Sequence, residues 1–139
     1  MDARANAKFV LISPRKARLA ADLIKGKPVS EAVAILRFTP KKGARMISKV
    51  LNAAIANAID VEGSGKLDPD TLYVKSATVD PGPIMPRWRP RAFGRAGRIR
   101  KRLSHIHVIV TTEQPRALHG TRKGRKLTTA HAAKKKAKK

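Results

Sequence analysis

Seven arginines and one lysine stand in the 24 residues from Asp80 to Leu103 against a single acid, with Trp88 and Phe93 set among them. Guanidinium groups at this density favour one kind of chemistry, bidentate hydrogen bonding to phosphate, with stacking on bases as a second mode. Aromatic rings between them either stack on exposed bases or pack on the segment itself. Prolines at 81, 83, 86 and 90 forbid a helix and confine any strand to a sheet edge, so the segment must run out and back as an extended ribbon. With about 10–12 residues per limb at roughly 3.3 Å each, the arm reaches about 35 Å. Its reversal is expected within Pro90–Gly97, where Gly94 and Gly97 permit the necessary backbone. A two-stranded ribbon of net charge +7 does not hold itself in water and is expected to order against phosphate.

Other chemistry is sparse. His105-Ile106-His107 places two imidazoles on one face of a strand, a geometry that can hold metal. There is no cysteine and no acid beside them, so a structural role is the favoured reading. The nine acids are scattered, and the chain carries no Ser/His/acid grouping, no paired carboxylates and no phosphate-cradling glycine loop. No enzyme activity, cofactor or metal is expected.

The whole chain agrees with its arm. Its 139 residues carry 32 Lys+Arg and 9 Asp+Glu, a net charge of +23. Self-repulsion of that size opposes compaction unless an anionic partner neutralises it, and the natural partner is a polyanion. Charge density rises along the chain: residues 1–79 hold 14 basic residues and 7 acids, whereas residues 114–139 hold 10 basic residues and no acid. A cysteine-free sequence with no run of about 20 apolar residues and no apolar segment at Met1–Asn6 is expected in the cytosol, without membrane contact.

The elements that must hold the arm follow from periodicity. Lys8–Ile12 is short and β-branched and predicts a strand. Ser13-Pro14 is an N-cap and first-turn pair for a helix whose stripe is Ala17, Ala20, Leu23 and Ile24 and which stops at Gly26. Arg15, Lys16 and Arg18 crowd that helix's first turn, the unfavourable end for cations, which suggests an external anion. A second helix starts at Ser30 and must end before Pro40. Thr39-Pro40 repeats the cap signature for a central helix buried through Ala44, Ile47, Leu51, Ala54, Ile55, Ala58 and Ile59. Asn52 and Asn57 fall on its other faces. After a loop marked by Gly63-Ser64-Gly65 and Asp68-Pro69-Asp70, Leu72–Val79 and Leu103–Thr111 read as strands. The predicted class is α+β: three helices packed on a small three-stranded antiparallel sheet, with a long β-hairpin arm. Residues 1–113 form one globular domain including the arm at 80–103, and 114–139 is a basic extension too poor in apolar residues to fold alone.

Six collinear segments resemble a known family. Ser13-Pro14-Arg15-Lys16, Ala20–Lys27, Leu51–Ala58, Val79-Asp80-Pro81-Gly82-Pro83, Pro90–Ala96 and Lys101–Ile106 are similar, in order and spacing, to ribosomal protein twenty-two of the bacterial large subunit, over about residues 4–112. The resemblance implies a small α+β domain on the outer surface of the large subunit near the polypeptide exit, with its hairpin passing through ribosomal RNA to the tunnel wall. In that family the hairpin helps form the tunnel's narrow part, near macrolide sites and stalling nascent chains. The implied RNA contacts are Arg15, Lys16, Arg18, Lys25 and Lys27 on the domain, Arg87, Arg89, Arg91, Arg95, Arg98, Arg100, Lys101 and Arg102 on the arm, and His105 at its base. The implied tunnel residues are Met85, Pro86, Arg87 and Trp88, with Arg91, Ala92, Phe93, Gly94 and Arg95 at the tip. Pro86 replaces the lysine common there, Trp88 and Phe93 are bulkier than many relatives carry, and the chain beyond Glu113 exceeds the usual family length.

The expected partners are large-subunit ribosomal RNA, neighbouring large-subunit proteins and the nascent polypeptide, with no homo-oligomer. The expected location is the cytoplasmic ribosome, an organellar ribosome being the other place such a chain serves. The rival class is an architectural DNA-binding protein, since those also wedge basic, proline-tipped β-arms into a groove. An RNA-processing enzyme is the third class, and it lacks a catalytic constellation.

Overall fold

Strand β1 starts earlier than its β-branched residues suggest. It spans Asp2–Val10, with Ala3 and Ala5 buried and Asp2, Arg4 and Asn6 outward. Alanine is depleted in strands, so this small-versus-polar alternation is weak as a propensity signal, and burial of the alanines decides it. The computed structural model describes residues 1–63 and 68–114. The extension predicted to be disordered beyond Gln114, and Ser64-Gly65 of the predicted loop, lie outside the described residues.

Near its end β1 carries a bulge: its register against β3 shifts between Ala7 and Val10, and Phe9 takes the left-handed conformation at φ 57°. An extra residue bends a strand and strengthens its twist. Here the bend turns Ile12 into the core.

Helix α1 runs Pro14–Ala21, α2 Val29–Phe38 and α3 Lys42–Glu62. Ser13 holds the cap position of α1, where its carbonyl accepts the amides of Lys16 and Ala17, but its side chain makes no cap bond. Because α1 stops at Ala21, Ile24 is buried from the following turn whereas Leu23 is exposed. Gly26 at φ 73° brings the next segment beside β2, donating its amide to Val74 O at 2.9 Å, while Val29 N–H donates to Leu72 O at 2.8 Å. The sheet edge is thereby covered within the domain. Thr39 does not cap α3. Its hydroxyl and amide both donate to Ile35 O, at 2.7 and 3.0 Å, so it closes α2, and Lys41 is the residue before α3. The stripe predicted for α3 is buried at Ala44, Ile47, Leu51, Ala54 and Ala58, whereas Ile55 and Ile59 lie at its margin and are half-buried. Asn57 reaches out of that helix to donate to Arg4 O at 3.0 Å.

Strands β2, Tyr73–Pro90, and β3, Ala96–Thr111, complete an antiparallel sheet of order β1-β3-β2. The class is α+β, with three helices against one face of the sheet. The predicted strand limits at Val79 and Leu103 are too short, because pairing continues without a loop from Tyr73↔Thr111 to Pro90↔Ala96. Prolines ordinarily argue against a strand. Here β2 is an edge strand, where a missing N–H leaves no partner unpaired.

Candidate nucleic-acid interface

Beyond the level of Pro81 and Ser104, the described chain is a hairpin of two strands only. β2 shifts register between Val74 and Ser76 and again between Pro81 and Ile84, so both partners of β3 are irregular where the arm leaves the domain. The reversal falls inside Pro90–Gly97, as expected, but not at both glycines. Arg91 N–H donates to Arg95 O at 2.8 Å across a turn in which Phe93 (φ 57°) and Gly94 (φ 66°) take the left-handed region. Gly97 instead pairs with Arg89, and a Cβ there would come within 3.3 Å of the Arg91 side chain. Phe93 is 98% exposed and Trp88 66% exposed.

The register distributes the arm's charge. Residues directly opposite each other in an antiparallel pair share a face. One face therefore carries Met85, Arg87 and Arg89 opposite Lys101, Ile99 and Gly97, and the other carries Ile84, Pro86 and Trp88 opposite Arg102, Arg100 and Arg98. The ribbon is cationic on both faces. Among the described residues, the only Lys or Arg pairs with a carboxylate are Lys25–Asp22, Lys27–Glu31 and Lys75–Asp2, and Asp80 lies near His107, so no arm cation meets a carboxylate. Arg87 donates to Pro86 O at 2.8 Å, a neighbour that leaves its charge uncompensated.

At the arm's base, Arg18 Nε donates to Val79 O at 2.9 Å and the buried Ser104 hydroxyl donates to Ile12 O at 3.2 Å. The two histidines lie on one side of β3 as predicted, but their partners separate them. His105 Nδ1 accepts the Phe9 amide left over by the bulge, at 3.1 Å, with the two rings edge to face at 4.8 Å. His107 Nδ1 meets Asn6 Oδ1 at 2.9 Å, and its Nε2 lies 3.7 Å from Asp80. Among the described residues no group of three or more His, Cys, Asp or Glu is placed to hold a metal.

The cations singled out on the domain stand in different settings. Arg15 and Lys16 are exposed on the first turn of α1. Arg18, expected to share their unfavourable position, lies in the last turn because the helix has only eight residues, and there the dipole favours it. Lys25 and Lys27 each pair with an acid three or four residues away, Lys25 at 2.6 Å from Asp22. Sequence reasoning passed over Lys41 and Lys42. They enter the surface where α3 begins, Lys42 together with Leu11, Ser13 and Arg100–Arg102 around a groove of about 380 Å³. Their signal in the sequence is two adjacent cations directly after Pro40. At the opposite end of β1, Asp2 is held below the ordinary carboxylate range, first by the Lys75 ammonium and then by Thr111.

A small α+β domain that extends a two-faced cationic ribbon belongs to the class of proteins that work against a polyanion. The chain belongs to the family described as ribosomal protein L22p/L17e, whose profile matches residues 5–111. It is 60% identical over 110 residues to the large ribosomal subunit protein uL22 of Maridesulfovibrio salexigens, covering 79% of this chain and 97% of that protein. Identity is 54% over 110 residues to the protein of the same name from Syntrophobacter fumaroxidans, at the same coverage. With the protein of that name from Leptospira biflexa it is 57% over 111 residues, 80% of this chain and 94% of the relative. The family is one of structural ribosomal proteins, so the chain is not an enzyme, and its place is the cytoplasmic ribosome. No helix among the described residues is long and apolar enough to cross a membrane.

Proposed function

We propose that this chain binds large-subunit ribosomal RNA, supports assembly of the subunit, and carries the tip of its arm to the wall of the polypeptide exit tunnel. The observation that supports this reading best is the placement of unpaired cations on both faces of the ribbon. A protein lying on an RNA surface needs charge on one face, whereas a ribbon enclosed by RNA gains phosphate contacts from both. Arg15 and Lys16 dock the domain, and the residues from Arg87 outward hold the arm. Met85, Pro86, Arg87 and Trp88, and the tip Arg91–Arg95, face the tunnel and its nascent polypeptide. The ten cations of residues 114–139 add phosphate contacts from an extension separate from the 1–113 domain. Neighbouring large-subunit proteins complete the partner set, and the chain acts as a single copy.

Sedimentation of the tagged protein tests this. It should travel with the large subunit at low and moderate salt, and deletion of Met85-Pro86-Arg87 should leave it there while changing macrolide susceptibility or nascent-chain stalling. Free migration, or a chromosome-bound fraction, would remove the reading. Loss of incorporation on the deletion would make the arm an assembly anchor instead.

A further inference from the structure

Between α1 and the start of α3 lies a second groove, of about 530 Å³, lined by Ile12, Ser13, Lys16, Leu19, Lys41, Lys42 and Gly43. It adjoins the one beneath Arg100–Arg102, with which it shares Ser13 and Lys42. Three of its seven residues are lysines and none is acidic, yet Leu19 stands 55% exposed in its wall. Gly43 lets the start of α3 approach α1 closely beside the groove: a Cβ there would lie 3.3 Å from both Ala17 Cα and Ile12 Cδ1. The Ser13 hydroxyl at its edge is not used to cap α1.

Phosphate alone needs no apolar wall, and an apolar ligand alone needs no rim of ammonium groups. A nucleotide needs both, because its base is a flat, weakly polar ring held between two anionic phosphodiesters, and RNA-binding proteins commonly take unpaired bases splayed out of their stacks. A groove of this volume is in the range of built small-ligand sites. Its cations continue without an intervening acid onto Arg100, Lys101 and Arg102, a track that suits a polynucleotide backbone better than a short acidic peptide. We propose that this groove receives one unpaired nucleotide of the RNA, its base against Ile12, Leu19 and Gly43, its edge on the Ser13 hydroxyl, and its flanking phosphates on Lys16, Lys41 and Lys42. The inference rests on the reading of the chain as an RNA binder and adds a site that discriminates unpaired from paired nucleotides.

The test is base-specific chemical probing of the RNA in large subunits carrying the full chain as wild type, Leu19→Ser or Leu19→Met. Leu19 is more than half exposed, so both variants keep the core. One unpaired base should be protected by wild type and by Leu19→Met, and its reactivity should rise about tenfold with Leu19→Ser, the loss of one apolar contact, while backbone protection along the arm persists. Identical base reactivity in all three would overturn the site and leave the general RNA reading standing, whereas absence of any protein-dependent protection would overturn both. Because the chain has no cysteine, Leu19→Cys carrying a benzophenone gives a second readout in the same subunits. Cross-linking to an RNA base supports the site, and cross-linking to an acidic protein segment, or to nothing, contradicts it.

Discussion

Arg18 and Val79 join the helical layer to the arm. The Arg18 Nε–H donates to the Val79 carbonyl at 2.9 Å, just before β2 leaves the three-stranded sheet after Pro81. On the outward edge of β2 this carbonyl would otherwise face water, and a guanidinium is a strong donor to it. The bond fixes the direction in which the arm departs, at the level where both partners of β3 are bulged.

Arg18→Ala should therefore lower stability by about 1 kcal/mol, the typical net value for a hydrogen bond, since the site is only partly buried. It should also speed amide exchange around Asp80 and His105 relative to α3. Denaturant titration and hydrogen exchange read the two effects. Unchanged exchange at the arm's base would mean that the bond does not hold it.

A second expectation concerns strain at the tip. Phe93 is held at φ 57°, a conformation costing a non-glycine residue about 1–2 kcal/mol, and at 98% exposure its ring gains little from packing. Phe93→Gly removes that strain at an entropic cost of about 0.5–1 kcal/mol, so the hairpin should be equally or more stable. Slower amide exchange at Arg91 and Arg95 would show it. Faster exchange would mean that the ring supports the turn.

The pH dependence of the sheet's far end has a definite sign. Asp2 on β1 is reached by Lys75 from β2, spanning the central strand, and its carboxyl is lowered chiefly by that ammonium. A carboxyl lowered in the folded state contributes stability above its unfolded pKa and loses it as pH falls through the folded one. Acidification from about pH 5 should loosen this corner, and Asp2→Asn should abolish that dependence while costing little at pH 7, because the pair is exposed. An acid transition identical in Asp2→Asn would contradict the assignment.

How much of this the sequence displays depends on whether a signal is local. The α3 stripe is legible because seven apolar residues keep one period in a helix long enough to show it. The ribbon is legible because prolines and arginines together leave one conformation open. β1 is obscured by its alanines, whose strand state comes from burial against residues far along the chain. Thr39 is misread because Thr-Pro marks the end of one helix as readily as the start of the next. Only the Ile35 carbonyl, accepting both of its donors, decides between them. The alternate facing of Arg87 and Arg98 depends on the register after the bulge at Pro81–Ile84, which no spacing reveals. Lys42 gains meaning only when folding brings Arg100–Arg102 beside it, and Lys41 only when α1 closes the neighbouring groove.

Charge on both faces predicts a pattern among substitutions. Arg87→Glu and Arg98→Glu lie on opposite faces, and each should weaken RNA binding and reduce the salt slope by about one contact. Filter binding across a salt series measures both. A loss confined to one of the two would show the arm lying on a surface.

The most direct measurement places a cleavage reagent on each face of the arm. The chain has no cysteine, so Trp88→Cys and Arg89→Cys, adjacent residues on opposite faces, each accept a single tethered iron chelate. In assembled ribosomes, hydroxyl radicals from both positions should cut large-subunit RNA, at distinct nucleotides for each face. Cuts from one face only, cuts in small-subunit RNA, or none in ribosomes that contain the protein would contradict an arm enclosed by large-subunit RNA.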